Sequence, residues 1–194
     1  MKKICFVLFA LLACAFIFAK PKVKRVDSGK VVDLSGYWND SDVKIVCESL
    51  IEDCIDSPRV AKFEAQNGRP PVVIIGSIKN ESSERIDTSI VAKRVQTAII
   101  NSGVLEFVAS ANERGELRNE KADQADHASL DTAKSIDNEE GADFMMTGSV
   151  KTDVQTVGKR SVRTYFVYLT LTDLETHRII WQGENDEIKK EIKK

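Results

Sequence analysis

VRTYFVYLTLTDLETHRIIWQGE, residues 162–184, carries the alternation that decides the fold. Val167, Leu169 and Leu171 alternate with Phe166, Tyr168, Thr170 and Thr172, so an extended chain has one apolar side and one half-polar side. A period of two is the mark of a β-strand with one face on a core. DLETHR interrupts the run, and Ile179, Ile180 and Trp181 resume it. Asp173, Glu175 and His177 also alternate, and two carboxylates with an imidazole at that spacing would suit a metal site or an acid–base pair. The same composition is ordinary for a hairpin tip. If Leu174 to Thr176 make the reversal, Asp173 and Glu175 are not successive rungs of one strand, and their alternation carries no geometry. The stretch reads as two antiparallel strands joined by a polar turn.

Working outward, ADFMMTGSVKTDVQTV (142–157) is a further strand, with GKRS as the turn after it. Three strands with such short connections form an antiparallel meander. Upstream, VVIIGSI (72–78) is a continuous β-branched run and reads as a strand buried on both faces. TSIVAKRVQTAIINSG (88–103) has Ile90, Val91, Val95, Ala98 and Ile99 as a helical stripe, Thr88 or Asp87 as cap, and Gly103 at its end. VLEFVAS (104–110) is a second short strand. Residues 111–128 are strongly polar and read as one exposed helix with frayed ends or a mobile loop. SLDTAKSIDNEEG (129–141) is a short helix capped by Ser129 and ended by Gly141. Nearer the N-terminus, DSDVKIVCESLIEDCIDS (40–57) spaces Val43, Val46, Cys47, Leu50, Ile51 and Cys54 on one helical face, with Asp40 or Ser41 as cap and Tyr37 and Trp38 packed against it. SPRVAKFEAQNGRPP (57–71) is a helical turn or loop stopped by Gly68 and two prolines. The order predicts an α/β fold of about 150 residues: a single mixed sheet with a C-terminal antiparallel meander and helices packed on it.

The start of the chain is organised differently. MKK is a short positive region and ICFVLFALLA an apolar run, the layout of a signal peptide over residues 1–19. LLAC, ending at Cys14, looks like a lipobox whose cysteine takes a lipid; the alternative is ordinary cleavage after Ala19. Residues 20–36 show no amphipathic period and read as a tether, which extended would reach at most about 60 Å. The globular part is expected over 37–190. With 28 basic against 30 acidic residues, the charge argues against a general nucleic-acid binder.

Export invites a disulfide between Cys47 and Cys54, but seven residues along a helix is about 10 Å of rise, and a disulfide needs Cα atoms within about 7 Å. Both read as small core residues. The remaining searches for chemistry give no catalytic set, metal site or cofactor. His127 sits alone in the polar segment. GSIKNESS follows a strand but lacks a G-x-G-x-x-G or P-loop pattern, and Glu81 and Glu84 read as solvated loop glutamates.

Taken together, RPPVVIIGSIKNESSERIDT, GVLEFVAS, GADFMMTGSV and LTDLETHRIIWQGE resemble the LpoB family in order and spacing, and LSGYWNDSDVKIVCESLI resembles that family's entry to its first helix. The similarity covers residues 34–188; single motifs also occur in the related CsgG and TolB N-terminal-like domains. The resemblance implies a TolB N-terminal-like fold and an exported lipoprotein, monomeric, without catalysis. It would activate a bifunctional penicillin-binding protein by docking on a noncatalytic region, from a lipid anchor in the outer membrane facing the periplasm. A CsgG-like or TolB-like structural or secretion component is the competing expectation, though a pore would need membrane-inserting hairpins for which the chain has no spare segment. For the partner contact the sequence offers loop and hairpin candidates only: Asn80, Ser82 and Arg85 after the first strand, and Lys159 and Arg160 at the hairpin tip.

Overall fold

A computed structural model describes residues 24–27, 29–128, 134 and 139–193. The expected signal peptide, Cys14 and most of the helix expected over 129–141 lie outside these residues. Clustering of contacts separates residues 1–31 from a compact unit, Val32–Lys194.

The compact unit begins with α1 (Asp40–Ile55) and α2 (Pro58–Asn67). The cap of α1 is Asn39, one residue before the expected Asp40 or Ser41. Its carboxamide oxygen accepts from the amides of Ser41 and Asp42, and the Asp42 side chain reaches back to the Asn39 amide. This reciprocal box uses a carboxylate at the third helical position, which a shift of one residue would misplace. Val43, Val46, Cys47, Leu50, Ile51 and Cys54 are all buried, as their spacing predicts. Each such side chain contributes about 1.5–3 kcal/mol. Both cysteines are free thiols, and burial pushes each up to about 12.

β1 (Val72–Asn80) leads to α3 (Thr88–Ser102), the two-residue β2 (Glu106–Phe107) and α4 (Ala111–His127). β3 (Phe144–Val157), β4 (Arg160–Asp173), β5 (Ile179–Asn185) and β6 (Lys189–Lys193) complete the chain. The sheet order is β2-β1-β3-β4-β5, with β6 also on β4. β1 is parallel to β2 and β3, and the strands from β3 onward are antiparallel. This is the mixed sheet with a terminal meander that the sequence predicts. Helix α1 packs on α3 and β5, and α3 packs on β1 and β2, so the core lies between one sheet face and these helices.

Several local expectations shift. β1 is not buried on both faces: Val72, Val73 and Ile78 are, whereas Ile74, Ile75 and Gly76 are half-buried and Ser77 is exposed. An irregularity between Ile75 and Ile78 breaks its register against β3. Ile90 is exposed, because Val91, Val95 and Ile99 recur every four residues and set the inward face one position later. The strand expected over 104–110 shrinks to Glu106–Phe107. The Val108 amide still donates to the Val73 carbonyl, and two residues later Ser110 caps α4. Residues 111–128 take the helical alternative, with no buried residue. Sequence reading missed β6. Its KKEIK run has a lysine, Lys190, where an apolar inward residue would be expected.

Trp181 fastens the edge. Its ring lies over Gly183, where a Cβ would meet it at 2.3 Å, and its indole N–H donates to Asp53 of α1 at 2.8 Å.

Candidate docking surface

The alternating Asp173, Glu175 and His177 resolve into a turn. Leu174–Thr176 reverse the chain, and the Asp173 carboxylate accepts from the amides of Thr176 at 2.6 Å and Glu175 at 3.0 Å. These donors, the Thr176 amide foremost, hold its carboxyl below the usual range. His177 adopts φ +58° to re-enter the sheet. No group of three His, Cys, Asp or Glu among the described residues could hold a metal ion.

The five candidate contact residues lie at one end of the sheet, in two places. Asn80 ends β1 and folds the following loop on itself. Its amide nitrogen donates to the carbonyls of Glu84 at 2.8 Å and Ile86 at 3.4 Å, and its oxygen accepts from Ser82 Oγ at 2.6 Å and the Ser82 amide at 3.0 Å. The Ser83 amide donates to Thr152 of β3, pinning the loop to the neighbouring strand. Arg85 is exposed on this loop. Lys159 and Arg160 are also exposed, at the β3–β4 turn, where Gly158 takes φ +57°. Arg160 pairs with Glu191 of β6. Asn80 is opposite Val150, and β3 continues to Val157. At about 3.3 Å per residue the hairpin tip therefore stands roughly 23 Å beyond Asn80. The structure does not bring the two groups together.

A polar cluster that sequence reading missed joins these regions. Inside it, Glu84 accepts from the Tyr165 hydroxyl at 2.9 Å and from the Trp38 amide at 3.3 Å, with Arg163 Nε at 3.4 Å. Burial, followed by the Glu84 carboxylate, drives the Tyr165 hydroxyl well above its ordinary pKa. Lys190 Nζ donates to Asp42 at 2.6 Å, Asp33 at 2.7 Å and the Tyr37 carbonyl at 2.9 Å. Trp38 packs on Tyr165 at 5.2 Å, whereas Tyr37, expected on α1, lies under the Arg163 guanidinium at 4.1 Å and stays half exposed. The signal was present in the parity of β4: Arg163 shares the inward register of Tyr165, Val167 and Leu169, so a charge had to find a buried partner.

The opposite face of the meander presents Thr147, Ser149, Tyr168 and Thr170 around a shallow groove of about 330 Å³ that also touches Lys79 and Glu81. Tyr168 donates to Glu184 at 2.7 Å. No helix of the described residues is long and apolar enough to cross a membrane.

Among solved structures, the chain is similar to the LpoB C-terminal domain from Salmonella enterica (16% identity, TM-score 0.36, covering 71% of this chain and 94% of that one). It is also similar to the LpoB C-terminal domain from Escherichia coli (18%, TM-score 0.39, 66% and 90%). A third similar structure is a lipoprotein from Neisseria meningitidis (15%, TM-score 0.38, 63% and 84%). No curated protein matches the chain. The family model for the peptidoglycan-synthase activator LpoB matches residues 42–186, from the first turn of α1 to just past β5. The chain belongs to the LpoB family of peptidoglycan-synthase activators, a regulatory family.

Proposed function

We propose that this chain is a lipoprotein anchored through Cys14 in the outer membrane, whose domain acts in the periplasm. It docks as a monomer on a noncatalytic region of a bifunctional penicillin-binding protein and stimulates glycan polymerisation and cross-linking. The observation that carries this reading is the family match over residues 42–186, from α1 to just past β5. The polar, capped surface supports action by contact: apart from the thiols of Cys47 and Cys54, shifted by burial in the core, the groups with displaced pKa values sit in structural hydrogen bonds rather than gathered in a cleft. Arg85, Lys159 and Arg160 are the side chains we assign to the partner, with Asn80 and Ser82 shaping the loop that presents Arg85.

The experiment is a pull-down of the purified domain against solubilised penicillin-binding proteins, coupled to a glycan-polymerisation assay. A bound synthase with a raised rate is expected. Absence of both binding and rate change would sink the proposal. Replacing Arg85, Lys159 and Arg160 together by Ala should weaken binding while leaving the thermal midpoint unchanged, since exposed charges contribute little to stability.

A further inference from the structure

Asp33–Tyr37 crosses β4 and β6 as a strap, and each buried group beneath it has a second partner elsewhere. Lys190 holds Asp33 and the Tyr37 carbonyl on the strap, but also Asp42 of α1 at 2.6 Å. The Tyr165 hydroxyl lies 3.4 Å from the Gly36 carbonyl and 2.9 Å from Glu84. Arg163 Nη1 donates to the Gly36 carbonyl at 3.3 Å and its plane covers the Tyr37 ring, while Glu84 lies 3.4 Å from Nε. That Nε is buried and has no hydrogen-bond partner in the strapped state. Removing the strap therefore strands no charge, which is the usual barrier to uncovering such a cluster.

The strap's own hold is almost wholly polar. Leu34 is 93% exposed, and Asp33 is half exposed. The one close fit is Gly36, where a Cβ would fall 2.2 Å from Ile192 Cδ1. A groove of about 530 Å³ is lined by residues 33–36 and by Lys189–Lys193 of β6. Segments with so few buried apolar contacts occupy the low-stability end of a fold. Lys189, Lys190, Glu191 and Lys193 line the β6 side of the groove. Arg163 and Arg160 are opposite Lys190 and Lys193 on β4, and Glu191 pairs with Arg160 and Lys193.

We propose that the strap is a displaceable stand-in ligand, and that the β4–β6 surface beneath it takes an extended segment of a partner protein that places one carboxylate on Lys190. The strap shows the mode of recognition. A carboxylate sits on Lys190, a backbone carbonyl on Arg163 and Tyr165, and an aromatic ring under Arg163. Gly at the crossing lets the backbone pass Ile192. This surface adjoins the hairpin tip at Arg160, is separate from the loop that carries Arg85, and does not depend on which synthase is bound.

The test uses the full chain carrying Gly36→Val, whose added bulk crowds the Ile192 side chain and weakens the strap's seat, and a fluorescent peptide of residues 30–37, KVVDLSGY, read by anisotropy. The variant should bind the peptide about tenfold more tightly than the wild type, whose own strap competes. Adding Lys190→Met, or using a peptide with Asp33→Asn, should each weaken binding about tenfold, the scale of one charge-assisted hydrogen bond. Should Gly36→Val not fold, Asp33→Lys serves instead, because it repels Lys190 without adding bulk at Ile192. A folded variant that does not bind overturns the proposal, and so does binding indifferent to Lys190 or to the peptide carboxylate.

Discussion

Glu84 is where the loop after β1, the segment before α1 and the inward face of β4 meet. It sits on a loop, yet its carboxylate takes hydrogen bonds from Tyr165 and Trp38 and faces Arg163. Tyr165→Phe removes a donor while leaving the ring packed on Trp38, so it isolates the hydrogen bond from the aromatic contact. A loss of about 1–2 kcal/mol in urea unfolding is expected, the cost of an interrupted charge-assisted bond in a part-buried site. No measurable loss would mean that Glu84 is satisfied by its other partners alone. Asp33 makes a second prediction. Its carboxyl is held below the ordinary range, chiefly by the hydrogen bond from Lys190. A depressed folded-state pKa stabilises at neutral pH and loses that contribution as pH falls through the depressed value. Protection of the amides at 34–37, taken relative to their intrinsic exchange rates, should fall on acidification below the usual carboxylate range, before α1 and β4 respond. A simultaneous loss of protection across the fold would show that the strap is not an independent unit.

At the scale of elements, two joints test how the sheet and its surface helix are held. Gly148 of β3 is opposite Leu169, and a Cβ there would lie 2.4 Å from the Tyr168 carbonyl oxygen, a backbone atom that cannot step aside. Gly148→Ala should therefore cost about 3 kcal/mol, seen as a lowered denaturation midpoint. Helix α4 has no buried residue. It depends on the Ser110–Glu113 capping box and on ion pairs of Glu113 with Lys93 and Arg118 with Glu139. Ser110→Ala should raise amide exchange across the first turn of α4 by about 1 kcal/mol of local stability, while the global midpoint barely moves. A large global drop would show that α4 supports the core. These contrasts explain what was legible in the sequence. The period-two alternation of β4 and the four-residue spacing in α1 and α3 report burial on one face, and those elements fold as read. β6 and the Glu84–Lys190 cluster escaped because their inward positions are charged, and a charge is buried only when a partner distant in sequence is present. Asp42 and Lys190 are 148 residues apart. The turn at Asp173 was readable because its partners are its immediate neighbours.

At the scale of the whole molecule, the proposed anchor makes the length between Cys14 and the domain decide what the domain can reach. If Cys14 carries the lipid, the extended chain from Cys14 to Val32 spans at most about 65 Å. Release of the strap adds residues 33–37, on the order of 17 Å more. Strap opening is then a change of reach as well as a change of surface, which links the residue-scale contacts to the envelope. Two variants separate reach from contact. Deleting residues 21–30 shortens the span by about 35 Å and should abolish activation in cells, while leaving the lipid-free protein as active as before on purified synthase. Restoring the length with a Gly/Ser segment of about the same span should restore function in cells, because a flexible linker supplies distance without side-chain information. Loss of activity on the purified enzyme would mark 21–30 as part of the contact. Unimpaired function of the deleted chain in cells would mean that the anchor does not limit reach, and Cys14→Ala should then release the protein from the membrane fraction without loss of activation.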